Sequence, residues 1–193
     1  MDMTTQDKII CAAINLVREH GYKGATTKRI AEKAGVNEVT LFRHFGNKKG
    51  IVEAIVDKYS FTSITSDTFN REVKWDLEKD LHLLAALYQD QLNQKRDIIL
   101  IGFKEAGVFP ELDELIAKVP SQYIEMLTSY FQEMIHLEKM RPVDPHVAAT
   151  NFFFINFGYF LLNRRVRPDG QEMPREQFLK ENIAFFTNSL KLQ

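Results

Sequence analysis

Residues 26–50 read TTKRIAEKAGVNEVTLFRHFGNKKG, and their spacing decides the fold. With Thr27 as the first position, Ala31 falls fifth, Gly35 ninth and Leu41 fifteenth. A helix-turn-helix needs these residue types at these offsets. Its two helices cross near the fifth position, where a large side chain would hold them apart. The ninth ends the first helix and turns sharply, which requires a positive φ and favours glycine. Ile30, Val36, Leu41 and Phe45 are then expected to close a small core. The opposite face of the second helix presents Asn37, Glu38, Thr40, Arg43 and His44, whose chemistry reaches base edges or phosphates in a major groove. Thr27 stands at a helix N-terminus, where hydroxyl and unpaired N–H groups favour an anion. Lys48 opens the following helix, and Lys28 and Lys49 add charge. Each feature alone also fits short amphipathic helices with a solvated basic face. Their joint occurrence predicts DNA binding.

Helical periodicity extends outward from this segment. It predicts helices over about 5–20, 27–34, 37–45, 48–60, 77–93, 95–106, 120–138, 145–165 and 174–191, and no period-2 alternation marks a strand. Asp144-Pro145 reads as an N-cap followed by a first-turn proline, and Pro174 opens the last helix similarly. Arg167-Pro168-Asp169-Gly170 reads as a turn. Pro110 and Pro120 bracket a short broken helical piece, and FTSITSDTFN at 61–70 reads as a linker. The expected class is all-α. A three-helix DNA-binding domain over 1–50 is followed by a larger helical domain over 51–193.

Composition qualifies this reading. The chain has 193 residues, 45% of them hydrophobic, enough for a substantial core. Its 25 Lys+Arg against 26 Asp+Glu give a net charge of −1, which by itself argues against a nucleic-acid binder. The distribution reverses that inference. Residues 1–60 hold ten basic and seven acidic side chains, residues 61–193 hold fifteen and nineteen, and 26–50 alone carry +4. Cys11 is the single cysteine, which excludes an intramolecular disulfide and a cysteine-based zinc site, and its apolar neighbours suggest a small core residue. The longest apolar stretch, FFFINFGYFLL at 152–162, falls short of the roughly 20 residues of a membrane span. The polar start MDMTTQDK is unlike a secretory signal. A soluble, cytoplasmic protein that does not engage membranes is expected.

A helix at 5–20 followed by GYKGATTKRIAEKAGVNEVTLFRHFGNKKGIVEAIV resembles the N-terminal DNA-binding domain of the TetR (tetracycline-repressor-like) family. The resemblance is specific over about 50 residues. Beyond them it extends to length, helix count and the Asp-Pro-opened penultimate helix. It implies a homodimeric transcriptional regulator, usually a repressor, whose larger domain binds a small-molecule effector. Thr27 and Lys48 match the family's phosphate contacts, and Asn37, Glu38, Thr40, Arg43 and His44 match its recognition helix. Two positions depart from it. Phe42 replaces a frequent tyrosine and so offers no hydroxyl to a phosphate. Val39 replaces a frequent glycine and suits a thymine-methyl contact. One such module reads few base pairs, so a paired module on a palindromic double-stranded operator is expected. The apolar helices 145–165 and 174–191 are expected to form the dimer interface, or else to fill the subunit's own core. Phe103, Phe131 and Phe154 are candidate walls of an effector pocket, whose ligand would be apolar or aromatic. The stripes Leu77, Leu81, Leu84, Tyr88 and Tyr123, Leu127, Tyr130, Met134 are equally the pattern of ordinary core.

Two other classes find partial support in the sequence. Glu133 and His136 form one ExxH unit of a metal-carboxylate bundle enzyme, but no other histidine has a glutamate three residues before it. Residues 46–50 also lack the spacing of a phosphate-cradling loop. A helical protein-binding adaptor explains the apolar helices and leaves the basic cluster beside the turn unexplained. A second cluster, Arg164, Arg165 and Arg167, reads as a helix C-terminus complementing its dipole. No enzyme activity, cofactor or metal is expected.

Overall fold

A computed structural model describes residues 3–59, 62–108, 110–163 and 173–192, and no strand occurs among them. Ten helices do: α1 (Thr5–Gly24), α2 (Thr27–Ala34), α3 (Glu38–Phe45), α4 (Lys48–Tyr59), α5 (Thr62–Glu72), α6 (Leu77–Gln94), α7 (Arg96–Glu105), α8 (Pro110–His136), α9 (Pro145–Asn163) and α10 (Arg175–Leu190). The fold is all-α, as predicted. The helices pack as two units. One takes α1 to α4, α7 and the chain as far as Val119; the other takes α5, α6, α8 from Pro120 onward, α9 and α10. The sequence reading divides the chain by role at residue 50, whereas packing groups α4 and α7 with the first three helices.

In the first unit, Ile9, Ile10, Ala13 and Leu16 of α1 meet Ile30 and Ala31 of α2, Leu41 of α3, and Ile51 and Ile55 of α4. Val36, Phe45 and Ile98 pack around this core. Cys11, read as a core residue, is only half-buried. Helix α1 runs past its expected end to Gly24, with a break at Gly21 (φ 71°, ψ 170°) that L side chains rarely adopt. Gly35 takes the left-handed conformation (φ 68°, ψ 33°). Its N–H donates to Glu32 O and the Val36 N–H to Ala31 O, a closure that satisfies the last carbonyls of α2. Gly50 serves a different purpose. A Cβ there would lie 2.0 Å from the Phe45 carbonyl oxygen, so only glycine lets α4 start this close to the end of α3.

In the second unit, Leu77, Leu81, Leu84 and Tyr88 of α6 are buried, as are Tyr123, Leu127, Tyr130, Phe131 and Met134 of α8. Tyr88 and Tyr123 stack at 4.3 Å, and Phe152 meets Phe186 edge-on at 5.3 Å. Asp80 is a buried carboxylate that accepts the N–H groups of Lys74 and Asp76 and the Tyr130 hydroxyl. These bonds hold the turn where Trp75 has a positive φ of 55°. Burial, and secondarily the charge of Asp80, push the Tyr130 phenol well above its ordinary pKa.

Three sequence expectations are corrected. The linker at 61–70 lies mostly within helix α5, whose Phe69 is buried against Tyr130, so tertiary burial overrides the Ser/Thr-rich composition. The broken piece between Pro110 and Pro120 belongs to one continuous helix, α8. A proline ring gives up one helical hydrogen bond, and the surrounding turns carry the helix through it. The third helix begins at Glu38, with Asn37 outside as its cap. The Asp144 cap stands as expected, its carboxylate accepting the N–H groups of His146 and Val147. The turn at 167–170 and the cluster Arg164, Arg165 and Arg167 lie outside the described residues.

The two glycines make separable predictions for urea unfolding. Gly35→Ala meets open space and is expected to cost about 1–2 kcal/mol through backbone strain alone. Gly50→Ala meets backbone and should cost about 3 kcal/mol or more. Equal losses would contradict the assigned roles.

Candidate nucleic-acid interface

The outward face of α3 follows from its two caps. Asn37 Oδ1 accepts the Val39 N–H at 2.8 Å and starts the helix, and Gly46, at φ 72°, ends it. Leu41 is fully buried beneath and Phe45 packs against the same core, while the positions between and before them turn outward. Val39 is 72% exposed, Phe42 and Arg43 are exposed, and Glu38, Thr40 and His44 are half-buried. Two large apolar side chains on the outside of a short helix are unusual for a merely solvated surface. Phe42, for which the sequence predicts only the lack of a phosphate-binding hydroxyl, adds an apolar contact to this face. Its position one turn after Val39 was the available signal.

The flanking helices bring their N-termini to the same unit. Thr26 caps α2, its hydroxyl accepting the Arg29 N–H. Thr27 Oγ1 donates to Glu38 Oε1 at 2.6 Å, joining the first turn of α2 to the first turn of α3. The predicted phosphate contact and a predicted base reader are therefore brought together, as partners of each other. Lys48 donates to the Tyr22 carbonyl, and its ammonium lies 3.8 Å from the centre of the Tyr22 ring. An ammonium carries three donors, so this contact fixes where the charge sits rather than consuming it. Tyr22, which the sequence reading left unassigned, thus positions the charge at the head of α4.

The basic residues divide into two groups. Arg29 donates to the Gly24 carbonyl, and Lys33 pairs with Glu19 at 3.0 Å. The Lys33 hydrogen bond holds the Glu19 carboxyl below its ordinary range. These two tie α2 to the end of α1. Lys28, Arg43 and Lys49 point to solvent.

The three candidate effector residues differ in burial and in the unit they belong to. Phe131 is fully buried in the second unit, its ring near Tyr130 and Phe186. Phe154 is 61% exposed on α9, and Phe103 is 55% exposed on α7 in the first unit. No group of three or more His, Cys, Asp or Glu side chains able to hold a metal occurs among the described residues. No described helix is long and apolar enough to cross a membrane.

A positive-φ glycine between two capped helices, the second with an exposed mixed polar and apolar face, defines a helix-turn-helix DNA-binding protein. Similarities to known proteins give the family. A family model for bacterial regulatory proteins of the tetR family matches residues 9–55, and one for the C-terminal domain of AefR-like transcriptional repressors matches residues 91–186. An uncharacterized HTH-type transcriptional regulator of Bacillus subtilis, YvkB, is 31% identical over 96% of this chain and 97% of its own length. The flavonoid-responsive regulator FrrA has the same fold, with a TM-score of 0.73 at 21% identity over 98% of both chains. So does AibR, solved in complex with isovaleryl coenzyme A and operator DNA, with a TM-score of 0.63 at 20% identity over 94% of this chain and 97% of its own. The chain belongs to the TetR family of transcriptional regulators, and its class is that of regulators, not enzymes.

The cap role of Asn37 can be separated from base reading. Asn37→Asp should leave thermal stability nearly unchanged, and Asn37→Ala should cost about 1 kcal/mol. If both variants melt with the wild type, the side-chain cap contributes nothing to α3.

Proposed function

We propose that the chain is a homodimeric repressor that binds a palindromic operator and is released from it by a small, largely apolar effector. The observation that carries the DNA-binding part is the outward face of α3, set between the turns at Gly35 and Gly46. Residues 1–50 are assigned to operator recognition and 51–193 to effector binding and dimerisation. Asn37, Glu38, Thr40, Arg43 and His44 form the recognition face toward base edges, and Val39 meets a thymine methyl. Thr27, Lys28 and Lys48 engage phosphates at two helix starts.

The dimer reading is supported by the last two helices. Val147, Phe154, Ile155 and Leu162 recur at helical spacing on one exposed face of α9, and Phe185 of α10 is 76% exposed. Their opposite faces, with Phe152, Phe160, Ile183 and Phe186, fill the subunit's own core. Both expected uses of these helices are thus supported, on different faces. An isologous pair built on them would bring two recognition helices to two half-sites, which requires a palindrome.

The effector reading rests on the aromatic interior of the second unit and on its relatives. FrrA is flavonoid-responsive, and AibR was solved with isovaleryl coenzyme A, of which the branched acyl end is the apolar part. Tyr88, Tyr123, Phe131 and Phe153 are the residue types that line apolar ligand sites, and Phe131 is the most interior of the three proposed wall residues. Release follows if the effector binds better to a conformation with misplaced recognition helices, by its differential affinity for the two states.

The deciding experiment is selection of bound duplexes from a random pool. A recovered palindrome supports the dimer and the reading head together; recovery of no preferred sequence would remove operator recognition. On the selected duplex, Arg43→Ala should weaken binding by about 1–3 kcal/mol and relax one base preference. Lys48→Ala should weaken all sequences alike and lower the salt dependence by about one unit of slope.

A separate test addresses assembly. Phe154→Glu and Phe185→Glu should each cost about 2 kcal/mol or more of association and shift sedimentation toward the monomer. A protein that stays dimeric with both substitutions has its interface elsewhere.

A further inference from the structure

The hydrogen bond between Thr27 and Glu38 places an acidic side chain where a DNA phosphate is expected. Thr27 is the first residue of α2, and a helix start favours an anion through its unpaired N–H groups and the helix dipole. Glu38 lies eleven residues further along, yet its carboxylate is 2.6 Å from the Thr27 hydroxyl. A threonine hydroxyl has one proton. While that proton is given to Glu38 it cannot be given to a phosphate oxygen, so the two contacts exclude each other. Glu38 is also the first residue of α3 and belongs to the face assigned to base edges. A carboxylate only accepts hydrogen bonds, and in a major groove the base-edge donor that suits it is the cytosine N4 amino group.

We propose that Glu38 is a specificity-determining residue that withholds the Thr27 hydroxyl from DNA phosphate until a cytosine amino group in the groove takes its carboxylate. The proposal rests on the reading of Thr27 as a phosphate contact. On arbitrary DNA the carboxylate keeps Thr27 and stands near the backbone as an uncompensated negative charge. At a half-site with a suitably placed cytosine, Glu38 turns to the base and Thr27 to the phosphate. One exchange of partners therefore gains two contacts at the right sequence and neither at the wrong one. Such a device penalises the wrong sequence as well as rewarding the right one, which is a recognised route to discrimination.

The test is a double-mutant cycle of Glu38→Ala and Thr27→Val, read by fluorescence anisotropy on a random-sequence 30-base-pair duplex at fixed salt. Thermal melts establish that each variant folds, and Glu38→Gln, which keeps the acceptor and removes the charge, is measured beside them. Glu38→Ala should tighten random-duplex binding by about tenfold, the scale of one charged hydrogen bond. In the Thr27→Val background the gain should shrink to about threefold or less, leaving only relief of charge repulsion. Thr27→Ser should restore the full gain. An equal gain in both backgrounds, or none, overturns the latch. A wild type with no salt-dependent duplex binding would instead remove the DNA-binding reading itself. A Thr27→Val change without effect in the Glu38→Ala background would remove the phosphate role of Thr27 and the proposal with it. On the duplex selected by the wild type, Glu38→Ala should lose its preference for one cytosine per half-site; an unchanged base preference overturns the assigned base donor.

Discussion

The shared core that buries Ala31 of α2 with Leu41 of α3 is the constraint on which the N-terminal unit depends. Both side chains are buried, and Leu41 is sealed completely. Full burial of one leucine is worth about 1.5–3 kcal/mol, but its larger effect is geometric. With Ala31 small and Gly35 left-handed, α3 has one seat against α1 and α2. Gly50 then lets α4 close on Phe45 from the other side. A base-reading face must be placed to within about half an ångström to select among hydrogen-bond patterns. An eight-residue helix cannot supply that precision alone, so its caps and its packing supply it.

The motif was legible because its constraints are local. Small, glycine and apolar residues at fixed offsets within 25 positions answer to backbone geometry, which the order of residues records directly. What escaped depends on distant partners. Helix α5 has the composition of a linker and becomes helical where Phe69 finds Tyr130, some sixty residues away. Helix α8 continues through Pro120 although a proline in isolation predicts a boundary. Helix α9 is apolar nearly all round, so periodicity could not separate Phe152, which is buried, from Phe154, which is not. The outward residues of α3 were legible as residue types. The bond from Thr27 to Glu38 was not, because it depends on how two helices seat their first turns.

Polar groups inside the second unit show the same limit. The stripes of Leu and Tyr announced a core, but not that Asp80 would be sealed within it. Its three hydrogen bonds make the burial tolerable, since a carboxylate without partners there would cost several kcal/mol. Gln89 likewise donates to the Asn156 carbonyl at 2.8 Å across α6 and α9. Apolar side chains accept many neighbouring arrangements, and these bonds accept few. They fix the register of helices whose aromatic surfaces would otherwise permit sliding.

Charge has to be resolved further than by segment. The total of −1 conceals a head that sums to +4 over residues 26–50, and that sum in turn conceals a division of labour. Arg29, Lys33 and Lys48 are engaged with Gly24, Glu19 and Tyr22, all within the first unit. Lys28, Arg43 and Lys49 face solvent. Arg29 and Lys33, which hold α2 to α1, contribute to the field around the head without being dedicated phosphate contacts, whereas the Tyr22 contact sets the Lys48 charge at the head of α4. Each phosphate neutralised contributes about 0.9 to the salt slope, so a head with few outward cations draws only modest affinity from counterion release. The remainder has to come from the fit of α3 in its groove. That fit is only as good as the seating of α2 and α3, which Arg29 and Lys33 support by holding α2 to α1.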